Sequence, residues 1–287
     1  MNVYKTPGAF RKALEERLRQ RSKSEEIDIN RLRRQLAFDR LLARFFQNED
    51  APWALKGGYA LELQFRAARS TVDIDLTMFS AIIPAESIDI NQAIRELLQQ
   101  SASIPLGDWL EFLIGSAQVD ITAAPYGGAR YPVEARMDNR VFSRFHLDVG
   151  VGDVAMPPLT AITTRDWLSF AGIAAAQVRA IAKEQQFAEK VHAYTMPRSS
   201  PNSRVKDLVD MLLLVHSQEL NEEKAARALR LTFERRDTHP IPASLNPPPQ
   251  DWQRPFESLA AECGIEANCE SAHANVNAFF LKVRAKQ

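Results

Sequence analysis

The sequence lacks the features that would tie it to a membrane, a disulfide framework or a broad polyanion-binding surface. Lys+Arg and Asp+Glu both total 36, so no global basic field announces a nucleic-acid partner, and such binding would have to use a local patch. Only two cysteines, Cys263 and Cys269, occur in 287 residues. They make neither a disulfide framework nor a zinc site and fit a reduced, cytoplasmic setting. No apolar run approaches the roughly 20 residues that span a bilayer, and the N-terminal MNVYKTPGAFRKALEERLRQ has no signal-peptide apolar core. No internal repeat is visible, and His146, His192, His216, His239 and His273 show no metal-ligand spacing. What remains is an ordinary globular composition, 45% hydrophobic, long enough for one large domain or two intimately packed ones.

The most informative stretch is Trp53–Phe79. Ala54-Leu55 reads as a buried strand ending at Lys56, and Gly57-Gly58 permits a tight turn that side chains resist. A short helix follows from Tyr59, and its first N–H groups and dipole suit phosphate oxygens. Val72–Phe79 then reads as a strand. Side chains alternate on a strand, so Asp73 and Asp75 share one face while Ile74 and Leu76 point to the other. Two carboxylates one pleat apart repel unless a cation lies between them. Mg²⁺ suits the place, being a hard ion held by one or two carboxylates and substrate phosphates. Either motif alone reads as a loop or a solvated strand edge; together, in this order, they point to metal-assisted nucleotidyl transfer.

Before this stretch, Thr6-Pro7 opens a helix through about Arg21, and Asp28 caps a second with Leu32, Leu36, Leu41, Leu42, Phe45 and Phe46 as its buried stripe. Arg31, Arg33, Arg34 and Arg40 line either a groove for a nucleic-acid backbone or a helix face of ordinary ion pairs. After it, the pattern predicts a helix over 87–102, strand character over 110–122, and strands over 131–137 and 141–151 joined by a hairpin at Asp138-Asn139-Arg140. A two-metal site needs a third carboxylate from a neighbouring strand. Asp148, ending a long strand beside glycines, is favoured over the competing Asp120.

From Asp166 onward the chain reads as helical. A helix from about Ala182 carries Lys190 among small and apolar neighbours, where it either faces the phosphates or pairs with a nearby acid. On the next helix, 203–216, Asp207 and Asp210 share a face and are placed to hold Lys190 or Arg204. Another helix spans 221–234. The proline-rich run 238–255 is neither helix nor central strand and reads as an extended strap anchored by Ile241, Leu245 and Trp252. The last helix, 267–286, turns Val276, Phe279, Phe280 and Val283 inward.

Four blocks in order resemble the AbiEii/AbiGii family of nucleotidyltransferase-like toxins, within the DNA polymerase β-like nucleotidyltransferase superfamily. They are Lys56-Gly57-Gly58, Arg69-Ser70 leading into Asp73-Ile74-Asp75, Ala188-Glu189-Lys190-Val191-His192-Ala193, and Arg204-Val205-Lys206-Asp207-Leu208-Val209-Asp210. The resemblance implies an α+β fold: a mixed-sheet nucleotidyltransferase core over 1–160 and a largely helical C-terminal domain over 161–287 completing the site. It implies Asp73 and Asp75 as metal ligands, Lys190 as a nucleotide contact and Asp210 as a functional acid. With the residue reading, the expected site comprises Asp73, Asp75 and Asp148 around Mg²⁺, with Lys56, Gly57, Gly58, Arg69 and Lys190 on an NTP. The implied activity is transfer of a nucleoside monophosphate to an RNA 3′ end, most plausibly of tRNA, by a monomeric toxin silenced directly or indirectly by an antitoxin. Transfer to a small hydroxylated molecule, or a non-catalytic nucleotide- or RNA-binding module, are the alternatives. Two positions depart from the family pattern: Tyr59, where a small hydroxyl residue is usual, and Ala67-Ala68 in place of a glycine before the Arg-Ser pair.

Overall fold

Thr6 caps the first helix by accepting from the Ala9 N–H, and Pro7 fills its first position, where the missing donor costs nothing. The computed structural model describes residues 4–65, 68–79, 89–121, 124–199 and 201–287. The chain forms two compact units, each discontinuous in sequence. One comprises Met1–Leu55, Val72–Gly152 and Ala161–Ala180; the other comprises Lys56–Thr71, Asp153–Thr160 and Ile181–Gln287.

The first unit is built on a mixed sheet. Its helices are α1 (Pro7–Glu25), α2 (Ile29–Phe45) and α4 (Ile90–Ala102), with α3 (Gly57–Gln64) falling in the second unit. Its strands are β1 (Trp53–Lys56), β2 (Asp73–Met78), β3 (Glu111–Ile114), β4 (Val119–Asp120), β5 (Gly128–Met137), β6 (Arg140–Val151), β7 (Thr160–Thr163) and β8 (Gln177–Ala180). The order is β3-β5-β6-β2-β1-β8-β7, with β4 on β5. Strand β2 runs parallel to β6 and β1 parallel to β8, while β5 and β6 form an antiparallel hairpin. Its turn residues Asp138 and Asn139 lie at φ 55° and 54°, the left-handed pair that a two-residue hairpin needs.

Alternation along β2, β5 and β6 separates the faces of the sheet. Ile74, Leu76, Tyr131, Val133, Phe145, Leu147 and Val149 are buried, covered by α2 and α4. Phe38 of α2 packs edge-on to Phe145 with centroids 4.7 Å apart, and the Tyr131 hydroxyl donates to the Asn91 carbonyl of α4. The other face carries polar side chains.

Of the four arginines considered on helix α2, Arg33 and Arg40 are committed to ion pairs. Arg33 pairs with Glu15 at 2.6 Å. Arg40 and Arg44 both converge on Asp108, at 2.7 Å each, and the three side chains are 6%, 2% and 1% exposed. Burial acts to raise the Asp108 pKa, but the two guanidinium groups outweigh it and hold the carboxyl below its usual range.

The second unit is helical apart from the end of β1 and the start of β7: α3, α5 (Lys183–Thr195), α6 (Val205–His216), α7 (Glu222–Arg236), α8 (Gln253–Glu262) and α9 (Cys269–Arg284). Its core gathers Phe187, Val191, Leu208, Met211, Leu212, Leu229, Phe256, Val276 and Phe280, all fully buried. The strap is anchored by Leu245 and Trp252, each 3% exposed, with the Trp252 indole donating to the Asn202 carbonyl.

Three expectations are corrected. The chain does not turn helical at Asp166: Gln177–Ala180 is a strand, paired with β1 through Leu55 and Ala180. Four residues are too few for a period to show. The strand expected over 110–122 is two short strands, β3 and β4, and Thr122 lies outside the described residues, as do the first positions of the helix expected at 87–102. Helix α8 begins at Gln253, with Pro255 inside its first turn, where a helix tolerates proline because that N–H has no intrahelical partner.

Replacing Asp108 by Asn leaves Arg40 and Arg44 buried around a neutral group. The expected loss is about 3–5 kcal/mol, read as a lower urea midpoint for the full chain; an unchanged midpoint would contradict the pairing.

Candidate functional site

The parallel register of β2 and β6 sets Asp73 opposite His146 and Asp75 opposite Asp148, and the β5–β6 hairpin sets Arg130 opposite Asp148. Asp75, Asp148 and Arg130 therefore form a row across neighbouring strands on the polar face, with Asp73 one pleat away. Arg130 grips Asp148 with both ends of its fork: Nε to Oδ1 and Nη2 to Oδ2, each 2.7 Å. The same Nη2 lies 3.3 Å from Asp73 Oδ2. The bond to Asp148 and the neighbouring acids raise the Arg130 pKa further above its already high value.

Asp120 lies on the other face. It pairs in register with Ala129, one residue out of step with Arg130, and accepts from the Asn91 amide at 3.0 Å. Asp148, expected as the third metal ligand, has both oxygens bonded to Arg130. Among the described residues no group of three His, Cys, Asp or Glu side chains is arranged to hold a metal ion. The pair Asp73 and Asp75, partly exposed on one face, has the hard oxygen donors that suit Mg²⁺.

In the second unit the chain leaves β1 at Lys56 and enters α3 at once. Gly57 has φ +68°, in the left-handed region that favours glycine. Gly58 is needed for a different reason: a Cβ there would lie 3.0 Å from Thr71 Oγ1 and 3.3 Å from Arg69 Nη2. No side chain caps the first turn of α3, leaving its amide donors to other acceptors. Tyr59 is fully buried.

Asp210 is the hub of the adjoining network. Arg69 donates to it through Nε at 2.8 Å and Nη2 at 2.7 Å, and Lys190 Nζ reaches Oδ2 at 2.6 Å. Asp207, on the same face of α6, lies 3.4 Å from Lys190 and 3.7 Å from Arg204. Asp210 is 1% exposed and Lys190 8%. Burial acts against both charges, yet opposite charge prevails: Asp210 and Asp207 hold the Lys190 pKa above its usual value, and Lys190 and Arg69 hold Asp210 below its own. The expectation that an acid of this helix holds Lys190 is met by Asp210.

Lys56 belongs to a second buried network. Its ammonium lies 2.5 Å from Asp153 and 3.4 Å from Glu189. Arg236 donates to Asp153 at 2.8 Å and lies 3.7 Å from Glu189. On α5, adjacent residues thus serve different partners, Glu189 one network and Lys190 the other. The sequence reading missed Arg130, Asp153 and Arg236. The period of β5 could have shown Arg130 to face outward, but no local pattern marks Asp153 or Arg236.

Two stability predictions follow from these networks. Asp210→Asn should cost about 3–5 kcal/mol in urea unfolding, because Lys190 and Arg69 lose their shared counter-charge; a change below about 1 kcal/mol would rule out a buried hub. His192 is the pH-sensitive member. Burial, then the charges of Arg236 and His239, push its pKa from 6.5 down to about 3. Between those values the unfolded chain binds the proton and the folded one does not, so stability is lost as pH falls below 6.5. This residue should contribute a slope of about 1.4 kcal/mol per pH unit. His192→Gln should flatten the acid limb of stability against pH, and an identical limb would contradict the assignment.

Comparison with known proteins agrees with this architecture. The family described as nucleotidyl transferase AbiEii toxin, type IV TA system, matches residues 40–267. Among solved structures, MenT4, a nucleotidyltransferase toxin of Mycobacterium tuberculosis H37Rv, aligns with TM-score 0.51 at 15% identity, over 90% of this chain and 94% of that one. JHP933 from Helicobacter pylori aligns with TM-score 0.46 at 13% identity, over 89% and 92% of the respective chains. No curated protein sequence matches the chain. The mixed sheet and helical C-terminal half are the α+β nucleotidyltransferase fold expected from the sequence. With the family matched from residue 40 to residue 267, the chain belongs to the AbiEii nucleotidyltransferase toxins.

Proposed function

We propose that the protein transfers a nucleoside monophosphate from an NTP to the 3′-hydroxyl of an RNA, the acceptor end of tRNA above all, and so blocks translation. The observation that carries this reading is the Asp73–Asp75 pair on the polar face of β2, with Ile74 and Leu76 buried behind it, in a chain of a nucleotidyltransferase family. Asp73 and Asp75 would hold the divalent ion, Mg²⁺ by the hardness of its oxygen ligands. When bound, that ion polarises the reacting phosphate and lowers the pKa of the attacking hydroxyl.

The remaining roles fall to cations set in place before substrate arrives. Lys190 and Arg69 are oriented by Asp210 and offer positive charge to the triphosphate and the departing pyrophosphate. Gly57 and Gly58 let the backbone amides at the start of α3 approach phosphate oxygens. Lys56 is drawn toward Asp153 and Glu189 and supports the turn from which those amides project. The acceptor hydroxyl attacks the α-phosphorus, the α–β bridging bond breaks, and pyrophosphate leaves. The family's place in toxin–antitoxin systems supports a cognate antitoxin that opposes the protein directly or indirectly, and the protein itself would act as a monomer.

Incubation with each α-labelled NTP, Mg²⁺ and either total RNA or small hydroxylated acceptors tests the reading. Asp73→Asn should keep a cooperative melt and lower label transfer to RNA by a factor of about 10²–10³, the cost of removing one strong electrostatic group. Transfer by that variant at a near wild-type rate, or transfer only to the small acceptors, would overturn it.

A further inference from the structure

Arg198 lies just past the end of α5 and forms no ion pair with a carboxylate among the described residues. Its Nη2 donates to the Ala193 carbonyl at 2.8 Å, while its Nε–H is buried without an acceptor, a state that native structures rarely leave unexplained. The charged groups that act on it are Arg204 and Asp207. Asp207 is already divided between Lys190 at 3.4 Å and Arg204 at 3.7 Å. Burial and the like charge of Arg204 outweigh that carboxylate and hold the Arg198 pKa below its ordinary value. Arg198 also lines a cavity of about 430 Å³ with Tyr194, Pro197, Asn202, Asn246 and Pro247, within the ~300–1,000 Å³ of small-ligand sites. Many acceptors around the cavity are taken: the carbonyls of Ala193, Tyr194, Asn202 and Asn246 accept from Arg198, Asn202, Trp252 and Tyr194. Donors are left over. Arg198 Nη1 and the side-chain amide of exposed Asn246 make no bond among the described residues.

We infer that this cavity seats a backbone phosphate of the RNA acceptor strand, held by Arg198. The inference rests on the nucleotidyl-transfer reading and names a further part of its substrate. A positive charge with spare donors suits an anion of several oxygens, and the planar guanidinium fork matches phosphate. Lys190 and Tyr194 lie one helical turn apart on α5, about 5.4 Å, so the cavity opens beside the residue assigned to the triphosphate without sharing it. The phosphates of the NTP are answered at Lys190 and Arg69. The anion at Arg198 is therefore a phosphate of the other substrate, and RNA carries one at every nucleotide.

Filter retention of labelled total tRNA by the full-length chain, from about 50 to 200 mM KCl, tests this without turnover. Arg198→Gln should weaken RNA binding at least fivefold at the lower salt. It should also reduce the slope of log affinity against log salt by about 0.7–0.9, the share of one phosphate contact. Arg198→Lys keeps the charge and should keep the slope, and in all variants each α-labelled NTP with Mg²⁺ should bind within twofold of wild type. Asn246→Asp puts a carboxylate in the same cavity and should likewise weaken RNA binding at least fivefold; at an exposed position, it carries the test if Arg198→Gln does not fold. Unchanged RNA affinity and slope in a folded Arg198→Gln or Asn246→Asp chain, or NTP affinity that falls as far as RNA affinity, would overturn the inference and leave the transfer reading standing. Wild-type chain that retains no RNA would overturn both.

Discussion

Like charges cannot be gathered in a water-poor interior unless each has an opposite charge within bonding distance, and this constraint organises both units. In the helical unit, Asp210 neutralises Lys190 and Arg69 together, and Asp153 does the same for Lys56 and Arg236. In the sheet unit, Asp108 neutralises Arg40 and Arg44. Removing the shared member of such a cluster leaves the others buried and unanswered, which is why these pairs are costly to break even where they add little net stability.

In the proposed reaction the same arrangement would have a catalytic use. Cations that already have their counter-charges keep fixed positions and need no reorganisation when a phosphate arrives. Lys190 is held above its ordinary pKa by Asp210 and Asp207 against the pull of burial, so it stays an ammonium at any physiological pH. In the proposed reaction it would therefore act as an electrostatic group, not as a proton donor or acceptor. Arg69 is fixed through two bonds to one carboxylate, and Gly58 leaves room for it. The glycine pair thus has separate tasks, backbone conformation at Gly57 and close packing at Gly58.

Much of this was legible because it is local. Period-two alternation placed Asp73 and Asp75 on one face, spacing by three on a helix placed Asp207 beside Asp210, and four ordered blocks named the family. What escaped depends on register between distant segments. Arg130 meets Asp148 because β5 and β6 pair with one offset and not another; a slip of one residue would turn the arginine to the buried face. Arg236 finds Asp153 from far along the chain, and no spacing rule connects them. Strand β8 was missed because four residues, buried in alternation, carry too little pattern to compete with the helical stretches that follow.

The central claim is that chemistry occurs at the α-phosphorus with an RNA 3′-hydroxyl as nucleophile. The direct measurement compares α- and γ-labelled NTP on RNA whose terminal ribose diol is either intact or oxidised. The account predicts α-label on intact RNA only, with γ-label released as pyrophosphate. Label from the γ-position on RNA, or equal α-labelling of oxidised RNA, would contradict it.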